Sequence, residues 1–129
     1  MANTIKLGDV EYQTLLSITP EEQEIGLMNI EPPTPIMTFI YNKAKINKYW
    51  MHRTPAALDI LFCYNGKISQ ICNGIPYSTA IIGNDTLSDL VVELPAGSCQ
   101  KNGINIGDNV LLKCDDANAM RVFSAIAAY

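Results

Sequence analysis

Apolar and polar residues alternate in short runs along most of this chain, and turn signals interrupt them every eight to twelve residues. Thr4-Ile5-Lys6-Leu7 alternates, Gly8-Asp9 turns, and Tyr12 to Ile18 alternates again, so the chain is predicted to open with a β-hairpin. Thr19-Pro20-Glu21-Glu22 then reads as a helix start. Thr19 can cap, Pro20 suits the first helical position, and Glu22 can complete a capping box. This helix is expected to reach Met28, with Ile25 and Met28 turned together toward the core. Three prolines within Pro32-Pro33-Thr34-Pro35 end it. Ile36 to Tyr41 reads as a strand, Asn42 to Lys45 as a turn, and Asn47 to Met51 as another strand.

Leu58 to Tyr64 is almost wholly apolar and runs into Asn65-Gly66, the strongest hairpin signal in the chain. Lys67 to Cys72 is the returning strand, and Leu90 to Leu94 is a further one. A short helix after Pro95-Ala96-Gly97 should end at Gly103 in a left-handed cap, before a closing strand around Val110 to Leu112. The tail from Ala117 to Tyr129 is apolar on most sides and reads as helix, with strand for Arg121 to Ile126 as the alternative. The pattern predicts a mainly β (α+β) fold, a compact antiparallel barrel or barrel-like sandwich with one or two short helices. Residues 1–114 form its single domain, and 115–129 are an apolar extension packing on the domain or on a partner.

Composition narrows the functional classes. At 129 residues, 48% hydrophobic and 17% charged, the chain has the make-up of one globular domain. Its net charge of −4 and nine scattered Lys and Arg argue against a duplex nucleic-acid partner. No apolar run nears the ~20 residues that span a bilayer, so no membrane partner is expected. Met1-Ala2-Asn3-Thr4 leads straight into an amphipathic strand without a signal-peptide core, which with four cysteines points to a cytoplasmic or virion setting. Cys63, Cys72, Cys99 and Cys114 form no close pair and His52 is the single histidine, so neither a metal centre nor a cofactor is expected.

The densest chemistry lies in Tyr49-Trp50-Met51-His52-Arg53-Thr54-Pro55, just before the apolar strand at Leu58. In order along the chain stand Gly26-Leu27-Met28, Met37-Thr38-Phe39, Trp50-Met51 with Thr54, and Leu58-Asp59-Ile60-Leu61-Phe62. Asn65-Gly66, Val92-Glu93-Leu94 with Ala96-Gly97, and Gly103-Ile104 with Gly107-Asp108 and Val110 follow. This series resembles the motifs of DUF192, also called UPF0127, a family of small bacterial, archaeal and phage proteins with no established activity. The resemblance covers about residues 11 to 114. It implies the fold more than a task. Two departures stand out: the family's Lys-Asn is His52-Arg53 here, and its proline has moved from position 57 to Pro55.

Trp50, His52, Arg53, Thr54, Asp59 and Glu93 are the candidate ligand-binding residues; no catalytic residue is assigned. An indole at a cleft mouth can stack a planar ligand or a sugar. A histidine can act as a base or a pH-sensitive contact, though at a strand end it is more simply a surface residue. Asp59 and Glu93 interrupt apolar strands, and a buried carboxylate must find a cation, an amide or water. Asp59 could pair with Arg53 or tie down 52–57. Were both acids to face one cavity, they would form a carboxylate pair.

Three functions follow. The first is a non-catalytic binding or accessory domain for an unknown small or polymeric ligand, with a saccharide, a nucleotide or a peptide as candidates. The second is a structural or accessory protein of a phage virion or other assembly, contacting subunits through residues 117–129. The third is a hydrolase using Asp59, Glu93 or His52; the chain shows no nucleophile motif to support it.

Overall fold

The computed structural model describes residues 3–83 and 85–114. Eight strands and two short helices follow in order: β1 (Thr4–Leu7), β2 (Val10–Gln13), β3 (Leu15–Ser17), α1 (Pro20–Ile25), β4 (Met37–Ile46), β5 (Leu58–Tyr64), β6 (Lys67–Gly74), β7 (Leu87–Pro95), α2 (Ser98–Asn102) and β8 (Val110–Lys113). They form a five-stranded sheet ordered β3-β4-β7-β5-β6 and a three-stranded sheet ordered β2-β1-β8. The fold is therefore mainly β, a barrel-like sandwich of two sheets.

Strand β7 is central because seven consecutive residues, Ser88 to Leu94, are buried. Such a run suits a strand covered on both faces. Side chains alternate across it, so Leu90, Val92 and Leu94 point one way while Val91 and Glu93 point the other. The first face joins Leu61, Cys63 and Ile40 to Ile5, Leu7 and Leu112 of the small sheet and to Cys99 and Ile104 near α2. The second joins Phe39, Leu58, Ile60, Phe62 and Val91 to Leu27, Met51 and Ala56, which lie outside the strands. One face is thus covered by a sheet and a helix, the other mainly by coil.

Several elements depart from the sequence expectations. The predicted strand from Tyr12 to Ile18 divides at Thr14, and its halves enter different sheets. The second half, β3, pairs with β4 in parallel, so the sheet is not wholly antiparallel. Helix α1 stops at Ile25 instead of Met28 because Gly26 caps it at φ 49°. Ile25 is consequently 58% exposed and does not turn to the core. Glycine is required there, since a Cβ would stand 3.3 Å from the Phe39 ring in a backbone region L-residues avoid.

The expected turn at 42–45 is a bulge inside β4. Pairing jumps from Ile40–Leu90 to Lys45–Ser88, so residues 41–44 stand opposite Asp89 alone. The expected strand at 47–51 is coil, with a single isolated bridge, between Tyr49 and Ile82, in place of a ladder. The hairpin at Asn65-Gly66 forms with left-handed φ angles of 52° and 78°, and Gly103 caps α2 at φ 66°. The expectations for 115–129, helix or strand and docking to a partner, lie outside the described residues.

Candidate functional site

A cleft of about 210 Å³ opens on the coil-covered face of the large sheet. Its floor includes Glu93 of β7 and Phe39 and Tyr41 of β4. One wall is the end of α1 with Gly26-Leu27-Met28, and the other is Lys48-Tyr49-Trp50 with Thr54.

Each wall has a local cause. Helix α1 is held by the predicted capping box: the Glu22 amide donates to Thr19 Oγ1 at 3.2 Å, and the Thr19 amide donates to Glu22 Oε1 at 3.0 Å. The 48–54 wall is pinned by backbone hydrogen bonds. The Met51 amide donates to the Ser78 carbonyl at 2.9 Å, the Tyr77 amide to the Thr54 carbonyl at 3.1 Å, and the Asn29 amide to the Arg53 carbonyl at 2.7 Å. The last of these joins the two walls. Tyr49 packs edge-on against Phe39 at 5.1 Å and against Phe62 at 5.6 Å between ring centres.

Glu93 is 4% exposed. Its register partners are Met37 on β4 and Ile60 on β5, both apolar. Among the described residues no donor hydrogen-bonds its carboxyl group, and burial pushes that carboxyl up to about 8. Beside it the Tyr41 and Tyr49 hydroxyls hydrogen-bond to each other. Burial pushes Tyr41 up to about 12, a shift that the Tyr49 hydrogen bond opposes and the nearby Glu93 adds to. Tyr49 is raised well above the usual phenol range as well, again chiefly by burial. Both phenols therefore stay neutral at any physiological pH.

The six sequence candidates separate. Trp50, Thr54 and Glu93 line the cleft. Trp50 is 49% exposed while its neighbour Met51 is fully buried, so the two do face opposite ways. His52 is not part of the cleft lining; it stacks on the Trp50 ring at 4.7 Å. Arg53 is exposed and takes a left-handed φ of 54°, contributing its carbonyl to the Asn29 contact. Thr54 is buried, and its hydroxyl donates to the His52 carbonyl at 3.1 Å, which closes the local turn.

Asp59 goes elsewhere, and two expectations for it are corrected. It does not share a cavity with Glu93: Ile60 is the residue opposite Glu93 and Leu94 the one opposite Asp59, so the two acids project from opposite faces. Nor does it tie down 52–57 or pair with Arg53. Its Oδ2 accepts the Cys99 amide at 3.0 Å, in the first turn of α2. The negative end of that hydrogen bond suits the start of a helix, and Gly97 at the cap position has no side chain to offer. The carboxylate, after burial, helps push the Cys99 thiol up to about 12. Asp59 thus anchors the start of α2; with Ala57, Gly74 and Cys99 it also lines a separate cleft of about 400 Å³.

Tyr41, Tyr49 and Lys48 are the site residues that sequence reasoning missed. Tyr49 opened the run singled out, but its burial between Phe39 and Phe62 depends on contacts made across three elements. No group of three or more His, Cys, Asp or Glu among the described residues is placed to hold a metal ion.

Fold and cleft together define a small two-sheet α+β domain with one recessed, aromatic-walled acid. By its sequence the chain belongs to DUF192, described as Uncharacterized ACR, COG1430, which matches residues 3–112. A protein of unknown function from Novosphingobium aromaticivorans DSM 12444 shares the fold with a TM-score of 0.77 at 26% identity, over 85% of this chain and 83% of that one. A protein from Sinorhizobium meliloti 1021, whose name suggests a transcription regulator without more, superposes with the same TM-score of 0.77 at 27% identity. That match covers 85% of this chain and 91% of the other. Among curated proteins nothing matches the chain.

Proposed function

We propose that this chain is a non-catalytic binding module whose ligand seats in the cleft over Glu93. The observation that carries the reading is the Glu93 carboxyl itself. It is buried, lacks a hydrogen-bond donor among the described residues, and borders an open cleft of about 210 Å³. A buried acid without partners costs stability, and a ligand supplying the missing partner offsets that cost. Mixed aromatic and polar walls around a concave site are the usual setting for small-ligand binding. The hydrolase reading loses its arrangement, because Asp59 and Glu93 are on opposite faces of the sheet.

The test is a thermal-shift panel of saccharides, nucleotides, short peptides and organic ions, followed by amide chemical-shift mapping of each hit. A ligand that prefers the folded state raises the melting temperature. The expected hit moves the amides of residues 24–28, 48–54 and 93. Hits that all map elsewhere, or no hit from any class, overturn the reading.

One observation favours the assembly reading as a second. Ile75, Tyr77 and Ile81 are each more than 60% exposed on a single loop. Clustered exposed apolar side chains mark contact surfaces. Light scattering over a wide concentration range is expected to show self-association if this loop joins copies of the chain. A strict monomer discards that contact.

A further inference from the structure

We infer that the cleft takes the head group of an organic ammonium cation, with Glu93 as its counter-charge and the surrounding rings as its walls. This rests on the binding reading above and names its ligand class.

The argument begins with what Glu93 lacks. Its flanking residues in the sheet, Met37 and Ile60, offer no donor, and no salt bridge among the described residues involves it. A neutral hydroxyl ligand could hydrogen-bond the acid, but below about pH 8 burial keeps the acid protonated, and such a ligand leaves the cost of ionising it in an apolar setting unmet. A cation removes that deficit directly.

The walls fit the same chemistry. Phe39, Tyr41, Tyr49 and Trp50 all border the cleft, and aromatic faces attract ammonium groups most strongly where water is excluded. The fold already shows the preference at one ring, where Lys45 Nζ lies 5.4 Å from the Tyr41 centroid. An anionic ligand would meet Glu93 and Glu24 with only Lys48 in the lining to attract it. A rigid inorganic cation is a poorer fit, since the acid stands without a second and third ligand around it among the described residues.

The titratable groups that line the cleft with Glu93 are Tyr41 from β4, Tyr49 and Lys48 from the 48–54 wall, and Glu24 from α1; of these, Tyr41 and Tyr49 interact with it electrostatically. The phenols stay neutral, so Glu93 is the group whose proton leaves when the cation arrives. Binding below about pH 8 therefore releases a proton, and affinity rises with pH until the free acid is already ionised.

The experiment compares two probes of almost identical shape, choline and its uncharged carbon analogue 3,3-dimethylbutan-1-ol, on the full chain. Amide chemical shifts and calorimetry at pH 6.5 and 8 provide the readouts. Choline is expected to move the amides of 24–28, 48–54 and 93, to bind at least tenfold more tightly than the alcohol, and to bind more tightly at pH 8 than at 6.5. Glu93→Gln is expected to weaken choline at least tenfold while leaving the amide spectrum otherwise native. Trp50→Ala, at a half-exposed position, is expected to weaken it several-fold. Lys48→Met is expected to preserve or tighten binding. Equal affinity for the two probes, undiminished binding by Glu93→Gln, loss of binding in Lys48→Met, or no choline binding each overturn the ammonium assignment. If the alcohol, or a saccharide from the wider panel, still moves the cleft amides, the binding reading survives while the cation is refuted.

Discussion

Asp59 and Glu93 are both buried acids on neighbouring central strands, one register step apart, yet they meet opposite fates. Asp59 points to the face covered by the small sheet and α2, where a backbone amide waits for it. Glu93 points to the face covered by coil, where apolar side chains flank it and a cleft lies open. The difference teaches that a buried charge is informative only once its partners are counted. The satisfied acid is part of the scaffold, and the unsatisfied one marks the candidate site.

The comparison can be sharpened most by pH. Glu93 has its carboxyl raised above its unfolded value, so the folded protein holds a proton that the unfolded chain has released. Its contribution is fully present below about pH 4.5 and is lost as pH rises to about 8. Wild type should therefore lose about 1.4 kcal/mol per pH unit across that window relative to Glu93→Gln, a total on the order of 5 kcal/mol. Urea denaturation of both proteins at pH 5, 6.5 and 8 measures it. Parallel stability curves would mean that Glu93 has an unseen partner and that the contrast with Asp59 is false.

The reciprocal change is Asp59→Ala. It leaves the Cys99 amide without its acceptor and should cost about 2 kcal/mol at neutral pH, with little effect on ligands of the cleft. Denaturation paired with the choline titration checks both halves. A destabilised protein that also loses the ligand would show that the two faces are coupled.

Smaller effects come from the coil that distinguishes the second face. Thr19→Ala removes one half of the capping box and should cost about 1 kcal/mol, felt at α1 before the sheet. Amide exchange of residues 20–25 reads it. Arg53→Asn should stabilise the chain by about 0.5 kcal/mol, because asparagine tolerates the left-handed region better than arginine. A destabilised Arg53→Asn protein would show that the arginine side chain has a packing role its exposure does not suggest.

Much of the scaffold was readable because its signals are local. The helix start at Thr19, the hairpin at Asn65-Gly66 and the cap at Gly103 each depend on a few adjacent residues, and each forms as expected. Both acids stood out within their apolar runs. Their opposite orientation was not readable, because alternation orders residues within one strand and says nothing about register between two. The pairing of Ile60 with Glu93 decides it. Likewise the bulge at 41–44 depends on β7 being shorter at that point than β4, which no local pattern reveals. The departure at Arg53 carried a usable clue: the asparagine that DUF192 sequences place there suits a φ of 54°, so the signature encodes a backbone turn as well as any polar contact.

Helix α1 has no buried residue, and besides its capping box one mid-helix side chain ties it to the sheet, Gln23 Nε2 donating to the Ile40 carbonyl of β4 at 2.8 Å. On the outer wall of the cleft the exposed Glu24 and Ile25 are therefore the positions that sequence change can rewrite most freely, while the acid beneath them is locked into the middle of a sheet. Under the proposed reading, selectivity and charge reside in separate parts of the molecule. On that reading, new ligand preferences could be engineered by exchanging Glu24 and Ile25 alone, with the carboxyl kept as a fixed socket.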